Sequence, residues 1–216
     1  MSDESVAAPG LRERKKERTR RALSDAAVAL FLERGFDAVS VAEVAAAAEV
    51  SKPTLFRYFP AKEDLVLHRF ADHEDESARV VEAGRRTGAD PLDALSAHLL
   101  DGLARRDPVT GLCDHPSVLA YLRLLYGTPA LVGRLHAYRV RSEAALADAL
   151  AAGSGGPGAD PLLARLAAGQ IVTVLRVLAE ENTARIAAGE TADAVEADAV
   201  AAAGLAFRAL REGLPY

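Results

Sequence analysis

Aromatic residues are scarce in this 216-residue chain, 5% of the total with no tryptophan. Sheets lean on aromatic and β-branched side chains, whereas alanine, abundant here, favours helix. The composition therefore excludes an all-β fold. A lone cysteine, Cys113, cannot close an internal disulfide and excludes a cysteine-rich zinc site. The expected compartment is a reducing cytoplasm. No uninterrupted apolar run reaches about 18 residues, so no membrane span is expected. The first residues are polar and then basic, without the apolar stretch of a secretory signal. What is present, 50% hydrophobic and 26% charged, is ordinary for a globular chain of one or two domains.

Charge is unevenly spread. The net charge is −5. Residues 11–21, LRERKKERTRR, nevertheless carry seven Lys and Arg against Glu13 and Glu17. Residues 1–59 hold 10 basic and 9 acidic side chains, and 60–216 hold 16 and 22. A basic end on an acidic body suggests one surface for a polyanion and another for something else. A solvated helix face, with Glu17 and Arg21 paired at i,i+4, explains the run equally well.

Residues 1–10 read as a disordered tail. A first helix is expected from Leu11 to Arg34, its apolar stripe Leu23, Ala27, Leu30 and Phe31. Gly35 ends it, and Phe36 folds back on the last turn. Ser40 and Glu43 have capping-box spacing ahead of a short helix, 41–48. Ser51 caps again, with Pro53 in the first turn of a very short helix, 52–58. Further helices are expected over 61–86, 91–105, 117–126, 129–152, 161–188 and 192–211, with loops around Pro108 and over 153–160. The expected fold is all-α, about nine helices, with a helix-turn-helix domain over 11–59 and a helical domain over 60–216. The 61–86 helix would join them.

Two short capped helices separated by about three residues have helix-turn-helix spacing, and the second would enter the major groove of duplex DNA. Leu55 and Phe59, four apart, can face the core, leaving Lys52, Thr54, Arg57 and Tyr58 outward. The stretch ALFLERGFDAVSVAEVAAAAEVSKPTLFRYFPAKEDL resembles the TetR-type transcriptional regulators. The resemblance runs from Gly35-Phe36 through Ser40-Val41, Val44-Ala45 and Val50-Ser51 to Tyr58-Phe59 and Lys62-Glu63-Asp64-Leu65. It implies base contacts from Lys52 and Pro53 and phosphate contacts from Thr54 and Lys62. Phe56 stands where the family usually has Tyr, which removes that hydroxyl's bond to phosphate. Arg57 and Tyr58 are available for bases or phosphates. Ser40 opens the first motif helix. Arg18, Arg20 and Arg21 extend the first helix toward the DNA backbone or form an arm for the minor groove. Glu49 replaces a common turn Gly. If it is left-handed it costs about 1 kcal/mol; otherwise the turn differs. The lesser alternative for Lys62 is an exposed lysine at a helix start.

Other motifs carry little. Gly153, Gly155 and Gly158 match G-x-G-x-x-G without a preceding strand. His73-Glu74 lacks the second His of H-E-x-x-H. Cys113 and His115 lack further ligands nearby, so no metal, cofactor or catalytic residue is expected. In the later helices, His73, Tyr126, Tyr138 and Gln170 fall on apolar stripes and are the candidate polar fixtures of a lipophilic effector pocket. Rows of small residues in the last helix, Ala199, Ala202, Ala203 and Ala206 with Leu210, suit close helix pairing. The family forms such dimers. The expected protein is a homodimer on a palindromic duplex operator, released by a small-molecule effector, with no membrane partner.

Overall fold

A computed structural model describes residues 10–71, 73–153 and 160–213. Among them are ten α-helices, a short 3-10 turn and no strand. They are α1 (Leu11–Arg34), α2 (Val41–Ala47), α3 (Lys52–Tyr58), α4 (Lys62–Ala71), α5 (Glu76–Arg86), α6 (Pro91–Ala104), α7 (Pro116–Gly127), α8 (Pro129–Gly153), α9 (Pro161–Ala187) and α10 (Ala192–Glu212), with the 3-10 turn at Pro108–Thr110. The tail through residue 9 and loop residues 154–159, with Gly155 and Gly158, lie outside the described residues.

The single helix expected over 61–86 is two helices, α4 and α5, with a turn at 73–75 between them. His73 and Asp75 in the turn are weak helix formers, although Glu74 between them is not. The His73 amide bonds the Phe70 carbonyl three residues back, closing a tighter turn than a helix would. The turn's side chains find other partners. His73 Nδ1 lies 2.8 Å from Glu76, and Arg141 of α8 takes both Glu74 oxygens at 2.7 and 2.9 Å.

Four helices end alike. After α2, α5, α6 and α9 the backbone closes with a 6→1 and a 5→2 hydrogen bond, such as Val50 N–H to Ala45 O and Glu49 N–H to Ala46 O. This closure needs a left-handed residue at its apex, usually glycine. Gly88 and Gly189 supply it after α5 and α9. Glu49 (φ 54°) and Arg106 (φ 56°) supply it after α2 and α6, where an L side chain costs about 1 kcal/mol.

By compactness the described residues form two units: those through Arg69 with Leu124–Arg134, and those of Phe70–Arg123 with those from Leu135 on. The first thus runs past the 59/60 boundary read from sequence and recruits the junction of α7 and α8. Leu65 and Val66 of α4 are fully buried, and the buried Ser24 hydroxyl of α1 donates to the Leu65 carbonyl at 2.7 Å. α4 therefore belongs with the three helices before it. Their interior is Leu23, Ala27, Phe31, Val44, Leu55 and Phe59, all buried; Leu30 is only partly so. Phe36 folds onto Phe31, ring centroids 5.0 Å apart.

In the second unit one core gathers Val81, Leu95, Leu146, Ile171 and Phe207 from α5, α6, α8, α9 and α10. Another joins Leu103, Leu112, Ile186, Val195, Ala199 and Ala203. Ala199 and Ala203 of the alanine row on α10 are thus turned inward, where small side chains let α10 approach α6 and α9 within one chain, and Ala202 and Ala206 are half-buried. The exposed side of α10 carries Val200 and Leu205. α9 has two apolar faces. One, with Ala168, Ile171 and Ile186, is buried; the other, with Leu162, Leu163, Leu166 and Val177, is exposed. That double face makes α9 long and apolar enough to cross a membrane by length and composition, with mean hydropathy 1.6 over 18 residues. Arg165, Arg176 and Glu180 interrupt it, and Arg176 pairs with Glu180 at 2.6 Å.

Candidate nucleic-acid interface

α2 and α3 are short because each is stopped within two turns. Ser40 caps α2 by accepting from the Glu43 amide, and Glu43 returns the bond to the Ser40 amide at 2.8 Å. This backbone bond, with the Ser40 hydroxyl and Arg34 beside it, holds the Glu43 carboxyl down at about 2. Arg34 reaches Glu43 at 2.8 Å, tying the end of α1 to the start of α2. Ser51 caps α3 by accepting from the Thr54 amide, and Pro53 fills the first turn. α1 packs on α2 and α2 on α3.

Leu55 and Phe59 anchor α3 in the core, as the four-residue spacing requires. The opposite side presents Lys52, Pro53, Phe56 and Arg57 to solvent, with Thr54 and Tyr58 half-buried. Lys52 Nζ lies 5.9 Å from the Phe56 ring centroid and the Arg57 guanidinium 5.6 Å from that of Tyr58. The Thr54 hydroxyl lies 2.8 Å from that of Ser51. The exposed positions of α2 are Ala42, Ala46 and Ala47, methyl groups only. The hydrogen-bonding groups of the motif therefore sit mainly on α3.

Lys62 is differently placed. Its ammonium donates to the Phe36 carbonyl and lies 4.2 Å from the Phe36 centroid and 5.2 Å from that of Phe31. It closes the end of α1 against the start of α4. The basic run is helical, so it extends α1 rather than forming an arm. Arg18 and Arg21 are exposed; Arg20 is half-buried, its Nε enclosed without a hydrogen-bond partner among the described residues. Sequence spacing gives no sign of the fork between Arg134 of α8 and Asp64 of α4, at 2.7 and 3.1 Å. Asp64 also accepts from the Ala61 amide and so fixes the start of α4.

The four effector candidates are not brought to one place. Tyr138 is buried, its ring edge-on to Phe70 at 6.2 Å. Burial, and the nearby charges of Glu74, Glu76 and Asp75, push its hydroxyl well above the usual tyrosine range. His73 is bonded to Glu76, whose other oxygen lies 3.2 Å from His98. Burial opposes the Glu76 charge, but the two histidines outweigh it and lower its pKa. Tyr126 is 45% exposed and belongs with the first unit. Gln170 is exposed because the α9 stripe that carries it is the uncovered one. A cavity of about 520 Å³ in the second unit is lined instead by Arg85, Pro91, Leu150, Leu163, Ala164 and Ala167, among others. Cys113 is buried, and His115 is bonded to Ser117 at 2.8 Å. Among the described residues, no group of three or more His, Cys, Asp or Glu is arranged to hold a metal.

Residues 23–68, which build this α1–α4 assembly, match the family described as bacterial regulatory proteins, tetR family. The HTH-type transcriptional regulator TcmR of Streptomyces glaucescens is 33% identical over 174 residues, 80% of this chain and 76% of that protein. The chain belongs to the TetR family. Its TetR-type helix-turn-helix makes it a DNA-binding transcriptional regulator, in a family of regulators rather than enzymes. Two solved structures share the fold. NalD, the secondary repressor of the MexAB-OprM multidrug efflux pump in Pseudomonas aeruginosa, is 20% identical with a TM-score of 0.55, covering 89% of this chain and 96% of that one. FadR of Thermus thermophilus, a repressor in complex with lauroyl-CoA, is 23% identical with a TM-score of 0.52, covering 91% and 95%. In this TetR chain α3 is the second helix of the helix-turn-helix.

Proposed function

We propose that this regulator is a homodimeric cytoplasmic repressor that binds a palindromic duplex operator and leaves it when a small lipophilic ligand binds. The observation that carries the reading is α3, pinned by Leu55 and Phe59 with Lys52, Pro53 and Arg57 facing solvent. Lys52, Pro53, Arg57 and Tyr58 read bases. Thr54, Arg18, Arg20 and Arg21 engage phosphates, and Lys62 does so with the donors its internal bond leaves over. Ser40 sets the angle at which α2 crosses the backbone. The exposed apolar faces of α9 and α10 support a helical dimer interface, which would hold two copies of α3 about 34 Å apart on one side of the duplex. Gln170 lies on that interface.

The ligand enters the second unit, where Tyr138, beside the Phe70 ring, and His73, bonded to Glu76, are the candidate polar fixtures. The lauroyl-CoA bound by the T. thermophilus relative supports a lipophilic effector. A ligand that favours another spacing of the two α3 helices shifts the population away from the DNA-bound form, with a coupling of about 1–3 kcal/mol. α4, α7 and α8 each divide their residues between the two units and are the elements through which the coupling acts.

Selection of the purified protein against random duplex DNA at near-physiological salt is the test. The expected result is an inverted repeat with half-sites about one turn apart. Lys52→Ala and Arg57→Ala then weaken binding at least about tenfold while the helical circular dichroism is unchanged. A folded protein that enriches no duplex, or two variants that bind like the wild type, would refute the assignment.

A further inference from the structure

We propose that Phe56 is a specificity residue that reads a thymine C5-methyl group in each half-site. The proposal rests on the operator reading above and deepens it. α3 carries on its outward side an aromatic ring 41% exposed, although the core below it is already closed by Leu55 and Phe59. Phe56 is not among the buried residues of that core, and phenylalanine has no atom that can hydrogen-bond to a phosphate or a base edge. What a bare ring can recognise in the major groove is an apolar group. The groove offers one such group, the methyl of thymine, absent from cytosine, adenine and guanine.

The surroundings sharpen the placement. Lys52, one turn earlier, holds its ammonium 5.9 Å from the ring centroid. Base pairs are stacked about 3.4 Å apart. The methyl read by Phe56 therefore lies within about two base-pair steps of the base or phosphate reached by Lys52. α2 offers only alanine methyls on its exposed side, so Phe56 is the large apolar group that the two motif helices turn outward.

The experiment uses the full chain and the operator from the duplex selection. Each thymine is replaced singly by deoxyuridine, which removes the methyl and leaves every hydrogen-bonding group in place. Affinities are measured for the wild type, Phe56→Ala and Phe56→Leu. For the wild type, one thymine per half-site, within two steps of the position sensitive to Lys52→Ala, loses about three- to tenfold on losing its methyl. In Phe56→Ala the thymine-to-uracil ratio at that position falls to near one. In Phe56→Leu it stays above that of alanine, which separates loss of apolar contact from disturbance of the helix. An operator indifferent to uracil throughout would overturn the inference and leave the operator reading standing. So would a uracil penalty that persists in Phe56→Ala. A protein that enriches no duplex would overturn both.

Discussion

Replacing Glu49 by glycine should stabilise the protein. Glu49 is the apex of the turn between α2 and α3, at φ 54°, with its amide bonded to Ala46 O and the next amide to Ala45 O. An L residue there costs about 1–2 kcal/mol relative to glycine. Glycine returns about 0.4–1 kcal/mol of that through the greater freedom of its unfolded chain. The net gain centres on about 0.8 kcal/mol, or a rise in Tm of about 2–3 °C for a chain this size. The assay is urea denaturation followed by circular dichroism, with the midpoint rising and the slope unchanged. Glu49→Ala is the control: it removes the carboxylate and keeps the strained φ, so it should show no such gain. If Glu49→Gly is no more stable than Glu49→Ala, the backbone argument is wrong. Arg106 supplies the contrast. It has the same φ at the end of α6, but its guanidinium reaches Asp193 and Glu196 of α10 at 2.8 and 2.7 Å. Arg106→Gly relieves the backbone and breaks both contacts, so it should lose stability where Glu49→Gly gains it.

Two further outcomes are expected. The Glu43 carboxyl titrates at about 2 in the folded protein, below its ordinary 4.5, so its contribution to stability is complete above 4.5 and is lost as pH falls toward 2. Glu43→Gln should flatten the acid limb of a stability-against-pH curve in that window; a curve parallel to wild type would refute the capping-box account. The paired variant Leu163→Glu and Leu205→Glu, at sites 61% and 63% exposed in the single chain, should convert a dimer to a monomer in sedimentation while preserving helicity. An unchanged dimer would place the interface elsewhere.

Much of the first unit was legible because its determinants are local. Ser40 with Glu43, Ser51 with Pro53, and Leu55 with Phe59 each declare themselves within four residues, and the structure holds all three pairs as the spacing implies. What escaped depends on distant chain or on competing apolar faces. The break between α4 and α5 is stabilised in part by Arg141, 67 residues from Glu74. The inward turn of Ala199 and Ala203 follows from α6 and α9 lying against α10, which a row of alanines does not reveal. Gln170 lies on a genuine apolar stripe of α9, but α9 has two, and periodicity does not say which its own chain covers. Lys62 reads as a phosphate ligand first and a surface lysine second; its seat on Phe36 is beyond either reading.

The recruitment of Leu124–Arg134 by the first unit bears on how that unit comes into being. A protein made from its N-terminus has α1 to α4 in hand long before Arg134 exists to grip Asp64. At about 5–20 residues per second the wait is several seconds. During it the start of α4 carries a carboxylate without its final partner. A fragment cut after Arg69 would remain permanently in that state. The first compact unit is therefore not made of one continuous stretch of chain. A transplant that keeps the Arg134–Asp64 pair carries the α7–α8 junction along with α1 to α4.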